Sequence, residues 1–108
     1  MDETLVSVEI DGIPVVIDRS VLGSARAFDC MYRFMKMSDR FKGQEDAKPD
    51  ANDIKTMWDF GYVLLGDEQF RNILDSDVGS RPFPEMLTFI TRVLTEASNN
   101  ADDESKNF

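Results

Sequence analysis

Apolar and polar side chains alternate between Leu5 and Asp18, which predicts two β-strands. Asp11 and Gly12 lie between the strands, and both tolerate the positive φ angles of a two-residue type I′ turn. With that turn, the apolar side chains of the hairpin all fall on one face: Val6, Val8, Ile10, Ile13, Val15 and Ile17. Pro14 lacks an N–H donor, so we expect it at an outward-facing edge position. Because a lone hairpin is marginally stable in water, it must lie on helices or join a sheet with other copies.

The rest of the chain follows the 3.6-residue period of amphipathic helices. The pattern predicts a long first helix from Ser20 to about Phe41. Gly23 weakens its first turn, so the true start could lie nearer Ser24. A second helix stops at Gly66, a short third helix follows, and a last helix closes the pattern. The core stripes of these three helices are Ile54, Met57, Trp58, Gly61, Leu64 and Leu65, then Phe70, Ile73 and Leu74, then Leu87, Ile90, Val93, Leu94 and Ala97.

These elements predict an α+β fold, mainly α, in which an N-terminal β-hairpin is followed by a small bundle of about four helices. At 108 residues the chain is long enough for one domain with a modest core. We place that domain at residues 1–98. The apolar period ends at Ala97, so we expect residues 99–108 to form a disordered acidic C-terminal tail.

The composition argues against catalysis, cofactors and metals. The chain has no histidine, and its single cysteine, Cys30, has neither a disulfide partner nor a base to activate it. It contains no phosphate-binding loop, paired-cysteine metal site or EF-hand loop. We therefore expect no enzyme activity and no cofactor, although an enzyme that works with carboxylates alone remains an alternative. No apolar run approaches the length of a membrane span, and the acidic N-terminus is unlike a signal peptide, so we expect a cytoplasmic protein.

Charge is unevenly distributed along the chain. The net charge is −9, the opposite of what a nucleic-acid-binding protein needs, so we expect no nucleic-acid partner. Residues 18–42 nevertheless carry a net +3, which leaves −12 for the rest of the chain. Within that segment Arg19, Arg26, Arg33 and Arg40 recur every seven residues and would line one side of the first helix. They form either a solvated face or a contact through which Arg26, Arg33 and Arg40 hold an acidic neighbouring copy.

Three stretches carry a resemblance to a known family. VSVEIDGIPVVID, at residues 6–18, is followed by the long helix, by LLGDEQF at residues 64–70, and by RPFPEMLTFITRVLTEA at residues 81–97. In this order, and at this length and acidity, the chain resembles the tail assembly chaperones of long-tailed, siphovirus-type bacteriophages and prophages. The resemblance covers about residues 4–98 and consists of apolar and turn patterns.

The resemblance implies a non-catalytic protein of the host cytoplasm that is absent from the mature virion. Such chaperones coat the tape measure protein, as homo-oligomers, before the tail tube polymerises around it. Many are also made in a longer form by a ribosomal frameshift, and the added domain recruits tail tube protein. Ser105, Lys106 and Asn107 can be encoded as UCA-AAA-AAC, which contains a slippery run. The acidic tail would then be a linker in the longer form.

A coating chaperone needs an adaptable apolar surface. Residues 31–37, MYRFMKM, contain three methionines and two aromatic residues, and methionine suits surfaces that accept varied partners. A helix buries one stripe, which here is expected to consist of Ala27, Met31, Phe34 and Phe41, widened by Phe28 and Met35. Tyr32 and Met37 then remain as client-binding candidates, and Phe60, which lies off the stripe of its helix, is the third. The same side chains would also suit core or rim positions.

The acidity also fits a different function. A small acidic interaction module, such as a phage inhibitor of a host nucleic-acid-binding protein, would compete for a basic groove. Its binding would fall sharply as salt screens the charges. A chaperone that holds apolar helices would tolerate salt better.

Overall fold

The computed structural model describes residues 5–44 and 46–106, with side chains up to residue 98. It has the expected α+β architecture, mainly α, with a hairpin followed by helices. The strands are β1 (Leu5–Ile10) and β2 (Ile13–Asp18). The helices are α1 (Arg19–Leu22), α2 (Ala25–Arg40), α3 (Ala51–Leu65), α4 (Asp67–Leu74) and α5 (Phe83–Lys106), with a 3₁₀ turn at Asp77–Ser80 before α5.

The hairpin has the predicted register and turn. Val6 pairs with Ile17, Val8 with Val15, and Ile10 with Ile13. Asp11 and Gly12 have φ angles of 54° and 83°, as a type I′ turn requires. The apolar face is covered by two helices, because β1 packs on α5 and β2 packs on α3. Val15 and Ile17 are completely buried there.

The predicted first helix is interrupted, and the alternative start near Ser24 is confirmed. α1 ends at Leu22, and α2 begins after Ser24, whose Oγ accepts a hydrogen bond from the Ala27 N–H. Gly23 stands between the two helices, where its lack of a side chain weakens helical continuity. Arg19 consequently lies on α1, apart from the other three arginines of the seven-residue series.

The last helix continues beyond the end of its apolar stripe. Ala97 is completely buried, and the helix runs on to Lys106. The place where the apolar period stops is therefore not the place where the helix stops. Residues 107 and 108 of the predicted tail lie outside the described residues, and the domain boundary at residue 98 stays a prediction.

Aromatic rings hold α3 between α2 and α4. The rings of Phe34 on α2 and Phe60 on α3 lie 4.9 Å apart between centroids. On the other side of α3, Trp58 and Tyr62 contact the ring of Phe70 edge-on, at 5.6 Å and 5.4 Å. Burying each of the three phenylalanine rings stabilises the fold by about 1.5–3 kcal/mol, whereas Trp58 and Tyr62 are half-buried. Gly61 allows this approach, because a Cβ there would lie within 2.7 Å of three atoms of the Phe70 ring.

The turn of the hairpin is tied to the C-terminal part of the chain. Asp11 accepts hydrogen bonds from Arg81, with an Nη1 to Oδ2 distance of 2.8 Å, and from Arg92 on α5. The hydrogen bond from Arg81, followed by that from Arg92, lowers the pKa of the Asp11 carboxyl below its ordinary value. These contacts join Asp11 to arginines that lie 70 and 81 positions further along the chain.

We expect Gly61→Ala to lower the free energy of unfolding by about 1–3 kcal/mol, measured by urea denaturation, because the new methyl group overpacks against Phe70. Alanine is otherwise the better helix former, so a loss reports the clash. Gly23→Ala is the control, since its Cβ would meet one backbone oxygen at 3.8 Å. The double variant Gly61→Ala/Phe70→Leu should recover part of the loss. If Gly61→Ala and Gly23→Ala change the free energy of unfolding equally, Gly61 is not in close contact with the Phe70 ring.

We expect Asp11→Asn to be less stable than the native chain at pH 7, because asparagine keeps the turn but loses the charge. The folded pKa of Asp11 is lowered, so its contribution is present above about pH 4 and disappears as pH falls through the folded pKa. The two urea midpoints should therefore converge in acid. Asp75→Asn, at an exposed carboxylate with no ion pair to a described residue, should not show this convergence. If the difference between the urea midpoints of the native chain and Asp11→Asn does not change with pH, the contacts of Asp11 with Arg81 and Arg92 do not stabilise the fold through charge.

Candidate interaction surface on α2

The core stripe of α2 is set by its contact with α3. Ala27, Phe34 and Met37 are buried, and Phe41 continues the stripe just after the helix. The two helices run antiparallel, because Phe34 meets Phe60 while Arg40, near the end of α2, meets Asp53 in the first turn of α3.

Two of the three predicted client-binding side chains are in the core, so their predicted exposure was wrong. Met37 is 3% exposed and Phe60 is completely buried. Met37 is buried because the stripe runs from Phe34 to Phe41 rather than through Met35. Phe60 is buried because α3 is covered by α2 as well as by the hairpin and α4. The Phe60 ring lies on the side of α3 that faces α2, where it contacts Phe34. Tyr32 is exposed over 62% of its surface, as predicted.

The structure adds two side chains that the sequence pattern had assigned to the core. Phe28 and Met35 are 55% and 54% exposed. With Tyr32 they occupy positions i, i+4 and i+7, so they form one row of about 10 Å along the outer side of α2. We call Phe28, Tyr32 and Met35 the α2 apolar row. The Lys36 ammonium lies 5.2 Å from the centre of the Tyr32 ring, which leaves the rest of the row uncovered.

A signal for this row is present in the sequence. One series with a spacing of seven residues consists of Ala27, Phe34 and Phe41, and all three are apolar. The neighbouring series with the same spacing consists of Phe28, Met35 and Lys42, and its last member is charged. A buried stripe tolerates a lysine poorly, so the first series belongs to the core and the second to the surface.

The predicted self-association residues lie on the opposite flank of α2. Arg26, Arg33 and Arg40 are all exposed, but two of them contact carboxylates of their own chain. Arg33 pairs with Asp29 at 2.8 Å, and Arg40 pairs with Asp53. Arg26 makes no ion pair with any residue that the structure describes. A contact between this row and a neighbouring copy stays a prediction.

Asp53 is the buried charged residue of the described part of the chain. Its Oδ2 accepts a hydrogen bond from the Asp50 N–H at 3.1 Å, and its own N–H donates to Asp50 Oδ1 at 2.8 Å. This reciprocal capping box starts α3, and Arg40 neutralises its inner carboxylate. Arg40 therefore has a structural role that Arg33 lacks.

A groove of about 890 Å³ lies between β2 and α4. Its floor includes apolar side chains such as Val16 and Ile73, and Gln69 stands inside it. The side-chain amide of Gln69 binds both backbone groups of Val16: its Oε1 accepts from the Val16 N–H at 2.8 Å, and its Nε2 donates to the Val16 carbonyl oxygen at 2.7 Å. One wall of the groove is thus a strand edge that is hydrogen-bonded to Gln69.

The thiol of Cys30 and the possible metal ligands were the remaining chemical groups to place among the described side chains. Burial, followed by the nearby carboxylates of Asp59 and Asp29, raises the pKa of the Cys30 thiol, so it stays protonated at neutral pH. No three acidic or cysteine side chains among those described are placed to hold a metal ion. Within the described ranges, no helix is long and apolar enough to cross a membrane.

No family model matches this chain, and neither a curated protein nor a solved structure is similar to it. Among the described residues, three of the six exposed large apolar side chains lie in the α2 apolar row.

We expect Arg40→Gln to lower the free energy of unfolding by about 1–2 kcal/mol in urea denaturation, because it leaves the buried Asp53 carboxylate without its counter-charge. The loss stays this small because Arg40 is itself 60% exposed, so solvent screens part of the attraction. Arg33→Gln, which breaks an exposed pair on the same helix, should change it by less than about 0.5 kcal/mol. If both variants behave alike, Arg40 does not stabilise the start of α3.

Proposed function

We propose that this chain is a non-catalytic tail assembly chaperone of a long-tailed bacteriophage or prophage. It holds apolar helical segments of the tape measure protein against the α2 apolar row. The observation that carries the proposal is that Phe28, Tyr32 and Met35 form one continuous row, each more than half exposed. Single exposed apolar residues are ordinary, whereas a contiguous patch marks an interaction site.

The shape of the row fits a helical client. Side chains at i, i+4 and i+7 form a ridge that packs into the groove of another amphipathic helix. Met35 has a flexible, polarisable side chain, and the Phe28 and Tyr32 rings supply large contact areas. Such a surface accepts many apolar helices rather than one sequence, which is what a coating chaperone of a long helical protein requires.

The remaining parts of the proposal rest on the family resemblance of the sequence. The chain acts in the host cytoplasm as a homo-oligomer and is absent from the mature virion. A frameshifted longer form binds tail tube protein. The serine codon at position 105 tests the last point locally, because a codon ending in any base other than A excludes the slippery run described.

The α2 apolar row is tested by co-expression with the tape measure protein encoded nearby. The native chain should keep that protein soluble, and Phe28→Ser/Tyr32→Ser/Met35→Ser should weaken binding roughly 10- to 100-fold, because apolar contact area is lost. The matched control is Val16→Ser/Ile54→Ser, which removes exposed apolar side chains elsewhere. A tape measure protein that is equally soluble without this chain would refute the chaperone function. If the triple variant keeps the tape measure protein as soluble as the native chain does, the α2 apolar row is not the binding surface, but the chaperone function stands.

Salt dependence separates this function from that of an acidic competitor. Binding to an apolar helix should persist between about 0.1 and 1 M NaCl, whereas charge-driven binding to a basic groove would collapse over the same range. A salt-sensitive complex with a nucleic-acid-binding protein, together with no effect on the tape measure protein, would favour the acidic inhibitor.

A further inference from the structure

The two edges of the hairpin differ. Gln69 reaches both backbone groups of Val16 from outside, so the pair of Ser7 and Val16 is not hydrogen-bonded within the hairpin. Such pairs alternate along an antiparallel ladder. The backbone N–H and C=O groups of Ser7, and by alternation those of Leu5 and Glu9, therefore point away from β2.

The β2 edge is closed to a further strand. Pro14 has no N–H to donate, and the N–H and C=O of Val16 are both occupied by Gln69. Gln69 is itself fixed by a hydrogen bond of 2.9 Å from its Nε2 to the Leu65 carbonyl. An extended peptide in the neighbouring groove would have to displace this side chain before it could pair.

The β1 edge is open. Ser7 and Glu9 are exposed, and their backbone groups make no hydrogen bond to a described residue beyond the hairpin. β1 lacks proline and lysine, the residues that commonly protect an edge. On the inner face of this strand, Val8 is half-buried, so part of its side chain is available for a further contact.

We propose that the β1 edge binds β1 of a second copy in antiparallel orientation, centred on Ser7, to form a four-stranded sheet across a two-fold axis. This assembly does not depend on the proposed client. Ser7 then faces Ser7 of the second copy, and Leu5 faces Glu9 of the second copy. The outward backbone groups of residues 5, 7 and 9 meet in three pairs, each of which exchanges two hydrogen bonds.

The side chains favour this register. Val6 lies opposite Val8 of the second copy on the inner face, so the apolar layer continues where Val8 is half-buried. A register shifted by two residues in either direction loses one of the three pairs. A register centred on Glu9 places two carboxylates directly opposite each other, which is unfavourable. The β1 edge is therefore complementary to itself, which favours a second copy of this chain as its partner.

The closed β2 edge limits this sheet to two copies. Each chain offers one open edge, and the two-fold pairing consumes it in both. A sheet with two open edges would instead propagate. Because each copy carries a net charge of −9, dimerisation should strengthen as salt screens the mutual repulsion.

Ser7→Pro tests the surface in the full chain. Proline at position 7 removes an outward N–H, as Pro14 does on β2, and breaks no hydrogen bond inside the hairpin. Light scattering should show a dimer for the native chain and a dissociation constant raised about 10- to 30-fold in the variant, since two symmetric bonds are lost. Ser7→Thr is the control and should remain dimeric. Circular dichroism checks that both variants are folded.

Cross-linking tests the register independently of the proline. In a Cys30→Ser background, Ser7→Cys should form a disulfide dimer, because hydrogen-bonded partners have Cα atoms about 5.5 Å apart. Glu9→Cys alone should not, because its two copies would lie roughly 14 Å apart. Mixing Leu5→Cys with Glu9→Cys should give a mixed disulfide. A native chain that is monomeric at about 1 mM, or preferential cross-linking at Glu9, would overturn the proposal.

Discussion

The fold depends on covering one apolar face of a two-stranded hairpin. Six apolar side chains share that face, and two strands alone cannot bury it. α3 lies under β2 and α5 under β1, which makes α3 a central helix with α2 on one side and α4 on another. The positions of α2 and α4 follow from this arrangement, since each packs on a surface of α3 that the hairpin leaves free.

Local features of the fold could be predicted from the sequence. The alternation of the strands and the Asp11–Gly12 turn act over a few residues, so their register followed directly. The core series of α2, Ala27, Phe34 and Phe41, is buried as predicted. Phe28 and Met35 were wrongly added to it, because their series borders the core series and only the charge of Lys42 marks it as exposed. The contact of Arg40 with Asp53 depends on how α2 and α3 are placed together, which no local pattern encodes.

The candidate surface is exposed because α2 stands at the periphery of the bundle. It packs mainly on α3, so a single stripe of its circumference is buried. Tyr32 could be predicted as exposed because it lies nearly opposite Phe34 on the helix. Phe28 and Met35 could not be assigned with the same ease, because they border the buried stripe and an additional neighbouring helix would have covered them.

The link between Asp11 and two distant arginines has a consequence for the order of folding. The hairpin is synthesised before α5, which covers β1, and before Arg81 and Arg92, which hold the turn. Contacts of such sequence separation form slowly, because the intervening chain must close first. The β1 side of the nascent hairpin therefore stays uncovered until α5 has been synthesised, and only then can α5 pack on β1.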